Sequence, residues 1–127
     1  LTVVSRGLRG ATTADANTKA AIGAATRELL QELVKANGVS VDQIAAAWLT
    51  TTRDLNAEFP ATAARLMGWT SVAMLSGHEM DVPDATPMCI RVMLLVNTEK
   101  NPEELRFVYL KGAANLRNRG LPSTTAQ

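Results

Sequence analysis

The run MCIRVMLLVN at residues 88–97 constrains the fold more than any other segment. A strand with one face in water alternates apolar and polar side chains, whereas this run is apolar almost throughout. It therefore predicts a strand covered on both faces. One cover is available within the chain. Residues 18–37 place Ile22, Ala25, Leu29, Leu33 and Ala36 three and four residues apart, the spacing of an amphipathic helix, with Asn17 as N-cap and Gly38 as its stop. One helix covers one face. Symmetric association with identical chains is the simplest way to cover the other.

The remaining segments alternate. Residues 2–9 carry β-branched positions and end in a polar Gly-Ala-Thr-Thr turn, which predicts a first strand with Arg6 and Arg9 on opposite faces. Ser40-Val-Asp-Gln43 reads as a capping box leading into a strand over 44–52, favoured by its threonines. Phe59-Pro60 followed by alanines, Leu66 and Met67 predicts a second helix that stops at Gly68. A strand over 69–75, a proline-bracketed loop at 83–87, a short helix opening at Asn101-Pro102 and a last strand over 107–110 complete the pattern. The order predicts an α/β (α+β) fold, a mixed sheet with one long and one or two short helices. Residues 1–117 read as one domain and 118–127 as a polar C-terminal tail.

With 13 Lys plus Arg against 12 Asp plus Glu, the net charge of +1 gives no general attraction to nucleic acid or to an anionic membrane, so any anion must be recognised locally. The apolar runs are shorter than a membrane span, and the first residues lack the apolar core of a signal peptide. The expectation is a cytoplasmic protein. Cys89 is the lone cysteine, which excludes an internal disulfide and a cysteine-based zinc site. No glycine-rich phosphate loop and no histidine-based metal spacing is present, so the reading includes neither a metal nor a cofactor.

Arg91 is a permanent cation inside the most apolar run. Unpaired there, it would cost roughly several kcal/mol of desolvation. It must meet an anion, a carbonyl cluster or water, and a salt bridge to an acid of the protein or a subunit-interface contact would serve as well as a bound ligand. Arg9 raises the same question on the first strand, and two arginines on separate strands could hold a small dicarboxylate. Glu79 is either their structural counter-ion or an acceptor for a substrate hydroxyl. Tyr109 either packs in the core or offers its phenol to a ligand. Ser76 and His78 lack a third partner for nucleophilic catalysis, and Cys89 reads as a small buried hydrophobe.

The segments Arg6-Gly-Leu-Arg-Gly-Ala-Thr-Thr13, Phe59-Pro-Ala61, Gly68-Trp69, Glu79-Met-Asp-Val82, Cys89-Ile-Arg-Val-Met93, Val108-Tyr-Leu110 and Leu116-Arg117 follow one another in the order and near the spacing of the small trimeric chorismate mutases. The chain resembles that family over nearly its whole length. The resemblance implies a homotrimer whose sheets form a pseudo α/β-barrel, with active sites between subunits and chorismate and prephenate as substrate and product. It assigns Arg91, Glu79 and Arg9 to catalysis and Tyr109 to substrate binding within one subunit. Phe59, Ala61, Arg65, Met74, Leu75 and Ser76 would line the cleft from, or near, the adjacent subunit. Leu116 and Arg117 would close over it. The chain departs from the family at Thr62, where lysine is familiar, and at Ser76, where cysteine is frequent. It is also one residue shorter between Arg65 and Gly68. A carboxylate-binding module and an imine hydrolase on a similar trimer are the competing classes.

Overall fold

The computed structural model describes residues 2–116; Arg117 and the tail 118–127 lie outside the described residues. The chain runs β1 (Val4–Thr13), α1 (Lys19–Asn37), β2 (Ile44–Thr51), α2 (Pro60–Leu66), β3 (Ala73–His78), β4 (Cys89–Thr98) and β5 (Val108–Tyr109), with 3-10 turns at Val41–Gln43, Pro102–Glu104 and Lys111–Ala113. The strands form one mixed sheet in the order β3-β2-β4-β1-β5. β4 is antiparallel to both neighbours, while the outer pairs β2–β3 and β1–β5 are parallel. The two-sided apolar run thus forms the central strand.

The two-residue period of a strand sorts the side chains. Leu8, Leu49, Val92, Leu94 and Val96 point to one side, where Leu29, Leu30 and Leu33 of α1, Ala61 and Ala64 of α2, and Trp69 close the core. Ile90 extends that layer to Ile22, Ala25 and Leu55. A Cβ at Gly10 would lie 2.9 Å from Leu33 Cδ1 and 3.0 Å from Val108 O, so glycine is what lets α1 and β5 approach β1 this closely.

Three boundaries differ clearly from the sequence expectation. The Gly10-Ala-Thr-Thr13 segment, expected as a turn, continues β1 and pairs with β4 as far as Thr13 opposite Cys89, because the central strand offers it a partner along its whole length. Helix α1 is capped by Thr18, whose hydroxyl accepts from Ala21 N at 3.1 Å, and not by Asn17. The Asn17 side chain is committed to the loop before α2, accepting from the N–H groups of Asn56 and Ala57 at 3.0 Å each. The strand expected over 69–75 begins only at Ala73. Gly68 turns the chain at φ 92°, and Trp69 then drops into the core with its N–H bonded to Ala64 O at 3.1 Å. Burial of the large indole overrides its strand propensity. Gly38 ends α1 at φ 59°, and Gln43 accepts from Ser40 N at 2.9 Å, both as expected.

Among the described residues no α-helix covers the opposite face of the sheet. Arg9 and Trp48 both lie opposite Met93, and Ala11 and Thr50 both lie opposite Arg91. Trp48 is 37% and Met93 41% exposed, so the described residues leave the middle of this face bare. Among the described residues no helix is long and apolar enough to cross a membrane.

Candidate active site

Odd-numbered residues of β4 face the bare side, which puts the Arg91 guanidinium above the centre of the sheet. It meets Glu79: Arg91 Nη1 donates to Glu79 Oε1 at 3.3 Å. Glu79 follows β3 and extends its pairing with β2, its N–H bonding Thr51 O at 2.8 Å. Parity then turns its side chain toward Thr50, whose hydroxyl donates to Glu79 Oε2. Each carboxylate oxygen therefore has its own donor.

Arg9 projects from β1 onto the same face and has no carboxylate partner among the described residues. Tyr109 arrives on β5 beside Ala11, and its hydroxyl is buried without a hydrogen-bond partner among the described residues. Arg9, Thr50, Glu79, Arg91 and Tyr109 line one cleft of about 180 Å³, walled by Trp48 and Met93. Two guanidiniums against one carboxylate leave it net positive. An uncommitted guanidinium and an unspent phenol donor suit a small molecule carrying carboxylates.

Cys89 shares the strand face of Arg91 but is buried with Ala11 and Ala113. Burial pushes its thiol up, with the nearby Arg91 charge working against that, so it is a poor nucleophile. His78 Nδ1 lies 3.2 Å from Thr51 Oγ1, which ties the ring to β2.

Within one chain most of the other expected residues lie away from this cleft. Ser76 is paired with Leu49 and faces the helix side, opposite to Glu79. It lines a separate cavity of about 370 Å³ together with Phe59, Pro60 and His78. Ala61 is buried in the main core and Met74 packs half-buried against it, while Arg65 is exposed and Phe59 and Leu75 are each 67% exposed. Leu116 packs near Tyr109 and lines another cavity of about 220 Å³ with Glu79 and Arg91. Arg117 lies outside the described residues.

Sequence reasoning missed Thr50, Trp48 and Met93. The threonine run 50–52 carried a strand signal, but which threonine meets Glu79 depends on the β2–β3 register.

A bare sheet face bearing a cationic cleft, backed by one long and one short helix, defines a small α/β protein built to hold an anionic ligand. A family model described as chorismate mutase type I matches residues 5–119. Chorismate mutase AroH of Thermus thermophilus is 46% identical over 113 residues, covering 88% of this chain and 93% of that protein. The Bacillus subtilis protein of the same name is 39% identical over 113 residues, covering 88% and 89%. The solved structure of a chorismate mutase from Clostridium thermocellum superposes with a TM-score of 0.84 at 48% identity, covering 85% of this chain and 96% of that one. The chain belongs to the type I chorismate mutases.

Proposed function

We propose that this chain converts chorismate to prephenate, a step of aromatic amino acid biosynthesis, in the cleft around Arg91. The observation that carries the reading is the convergence on one cleft of the Arg91–Glu79 pair, of Arg9 and of the Tyr109 hydroxyl, the last two without such a partner among the described residues. The reaction is a concerted intramolecular rearrangement that needs no nucleophile and no proton transfer. The protein's task is to hold the reactive conformer and stabilise charge as it develops.

The residues suit that task. As the ether C–O bond breaks, its oxygen gains negative charge, and Arg91 donates to it while also meeting a carboxylate. Arg9 and Tyr109 bind substrate carboxylate and keep the molecule folded, with the bond-forming carbons close. Glu79 accepts from the ring hydroxyl and lies nearer to the positive character that develops on the ring. In a homotrimer with a pseudo-barrel of three sheets, the bare face around Trp48 and Met93 is covered by neighbouring copies. Phe59, Ala61, Arg65, Met74, Leu75 and Ser76 of one copy then complete the cleft of the next, and Leu116 with Arg117 closes it. Residues 1–117 form the catalytic domain. The net charge near zero and the single buried cysteine support a cytoplasmic setting.

The test is purified protein mixed with chorismate alone. Loss of chorismate absorbance is followed, prephenate is identified by acid conversion to phenylpyruvate, and chain association is measured by sedimentation. Saturable turnover by a species of three times the chain mass is expected. A folded trimer that is stabilised by chorismate but forms no product would make the protein a carboxylate-binding module instead.

A further inference from the structure

Thr50 stands beside the Arg91–Glu79 pair and reaches into the same cleft, yet it carries no charge and was not among the residues expected to act on the substrate. Its backbone is paired on both sides, with Gly77 of β3 and Arg91 of β4, so its position is fixed by the sheet. As a β-branched residue in a strand it has a restricted χ1. Its hydroxyl donates to Glu79 Oε2 while Arg91 Nη1 donates to Oε1.

We propose that Thr50 is a positioning residue that anchors the Glu79 carboxylate independently of Arg91. The proposal rests on the reading of Glu79 as acceptor for the substrate hydroxyl. Two consequences of the geometry support it. Arginine and a carboxylate favour a forked contact through two parallel N–H···O bonds. Here the structure records one contact, through Oε1, and Thr50 holds the other oxygen. Among the described residues the remaining Arg91 donors meet no other partner and can serve a ligand. In addition, a carboxylate held by Arg91 alone would lose its anchor when the guanidinium turns to a substrate oxygen. Thr50 supplies a second anchor that binding does not displace, and the Glu79 N–H bond to Thr51 O fixes the backbone from which the side chain reaches.

The experiment is a double-mutant cycle on the assembled enzyme, with kcat and KM measured for chorismate. Thr50→Val keeps the shape and strand preference but removes the donor, and kcat/KM is expected to fall roughly tenfold or more. KM should contribute to that fall, because Glu79 then closes onto Arg91 and competes with the substrate. Thr50→Ser restores the donor and should recover activity to within about twofold. In a Glu79→Ala background, which leaves the Thr50 hydroxyl no side-chain acceptor at residue 79, Thr50→Val should add no more than about a twofold change. Thr50→Ala serves the same cycle if the valine variant misassembles. A full additive loss in the Glu79→Ala background overturns the proposal, since Thr50 would then act without Glu79. Parental activity of Thr50→Val alongside an impaired Glu79→Gln overturns the Thr50 assignment alone. A Glu79→Gln variant as active as the parent overturns the reading of Glu79, and the positioning role with it.

Discussion

The two faces of this one sheet are built from alternate residues of the same strands and do different work. On the covered face, Leu8, Leu49, Leu94 and Val96 are fully buried and pack against α1. On the bare face the neighbouring positions are Arg9, Thr50, Arg91 and Met93, which stay half-buried or exposed and line the cleft. On the proposed mechanism, stability and chemistry are separated by a single step along the backbone. Strands are stiff and close-spaced, so a face packed by leucines becomes a rigid platform for charged side chains on the other.

The largest expected effect breaks the cleft without touching the core. Arg91→Gln removes the charge from β4, and on the proposed mechanism kcat should fall by roughly 10²- to 10³-fold, as for a lost oxyanion donor. The melting temperature should hold close to that of the parent. A stopped assay with prephenate detection checks the rate, and unchanged turnover would remove Arg91 from the mechanism.

The reverse experiment strikes the covered face. Leu94→Ala deletes a fully buried side chain and should cost about 2–5 kcal/mol of unfolding free energy in denaturant titrations. The folded fraction should keep its kcat/KM. If the folded variant loses activity in proportion, the two faces are not independent.

A smaller effect is expected at Asn37, which links the faces. Its Nδ2 donates to Arg106 O and its Oδ1 accepts from Arg106 N, both at 2.8 Å, so the end of α1 grips the segment leading to β5 and Tyr109. Asn37→Ala leaves those backbone groups unpaired and should cost about 1–3 kcal/mol. KM should rise if the position of Tyr109 depends on that grip. Substrate titration of the variant decides it.

The smallest effect is a pH dependence. Asp54 accepts from Thr52 Oγ1 at 2.5 Å and from Met88 N at 2.9 Å, tying the loop into the start of β4. Burial pulls its carboxyl upward, but these hydrogen bonds outweigh that and hold it below its ordinary value. With the folded value depressed, the stabilisation is present at neutral pH and is lost as pH falls through the ordinary carboxylate range toward the folded value. Parent and Asp54→Asn should therefore differ in melting temperature at pH 7 and converge in acid. Asp54 is exposed, so the difference should be small.

Much of the scaffold was legible because its signals are local. The 3.6-residue spacing of α1, its stop at Gly38, the capping box before β2, Pro60 at the start of α2 and the apolar run of β4 each depend on residues within a turn or two of one another. The misplaced start of β3 shows the limit of such signals, since the burial of Trp69 is decided by α2 and the sheet.

By itself, the sequence determined that a strand apolar on both faces would carry a buried-run arginine, that one long helix could cover only one of those faces, and that Arg9 and Arg91 would sit on strands. Only the tertiary structure decided which charges meet. Glu79 reaches Arg91 across 12 residues of chain and Thr50 across 29, and Ser76 turns away from Glu79 to the other face. Those outcomes depend on strand order and register, and a shift of one residue in register would send every one of these side chains to the opposite face.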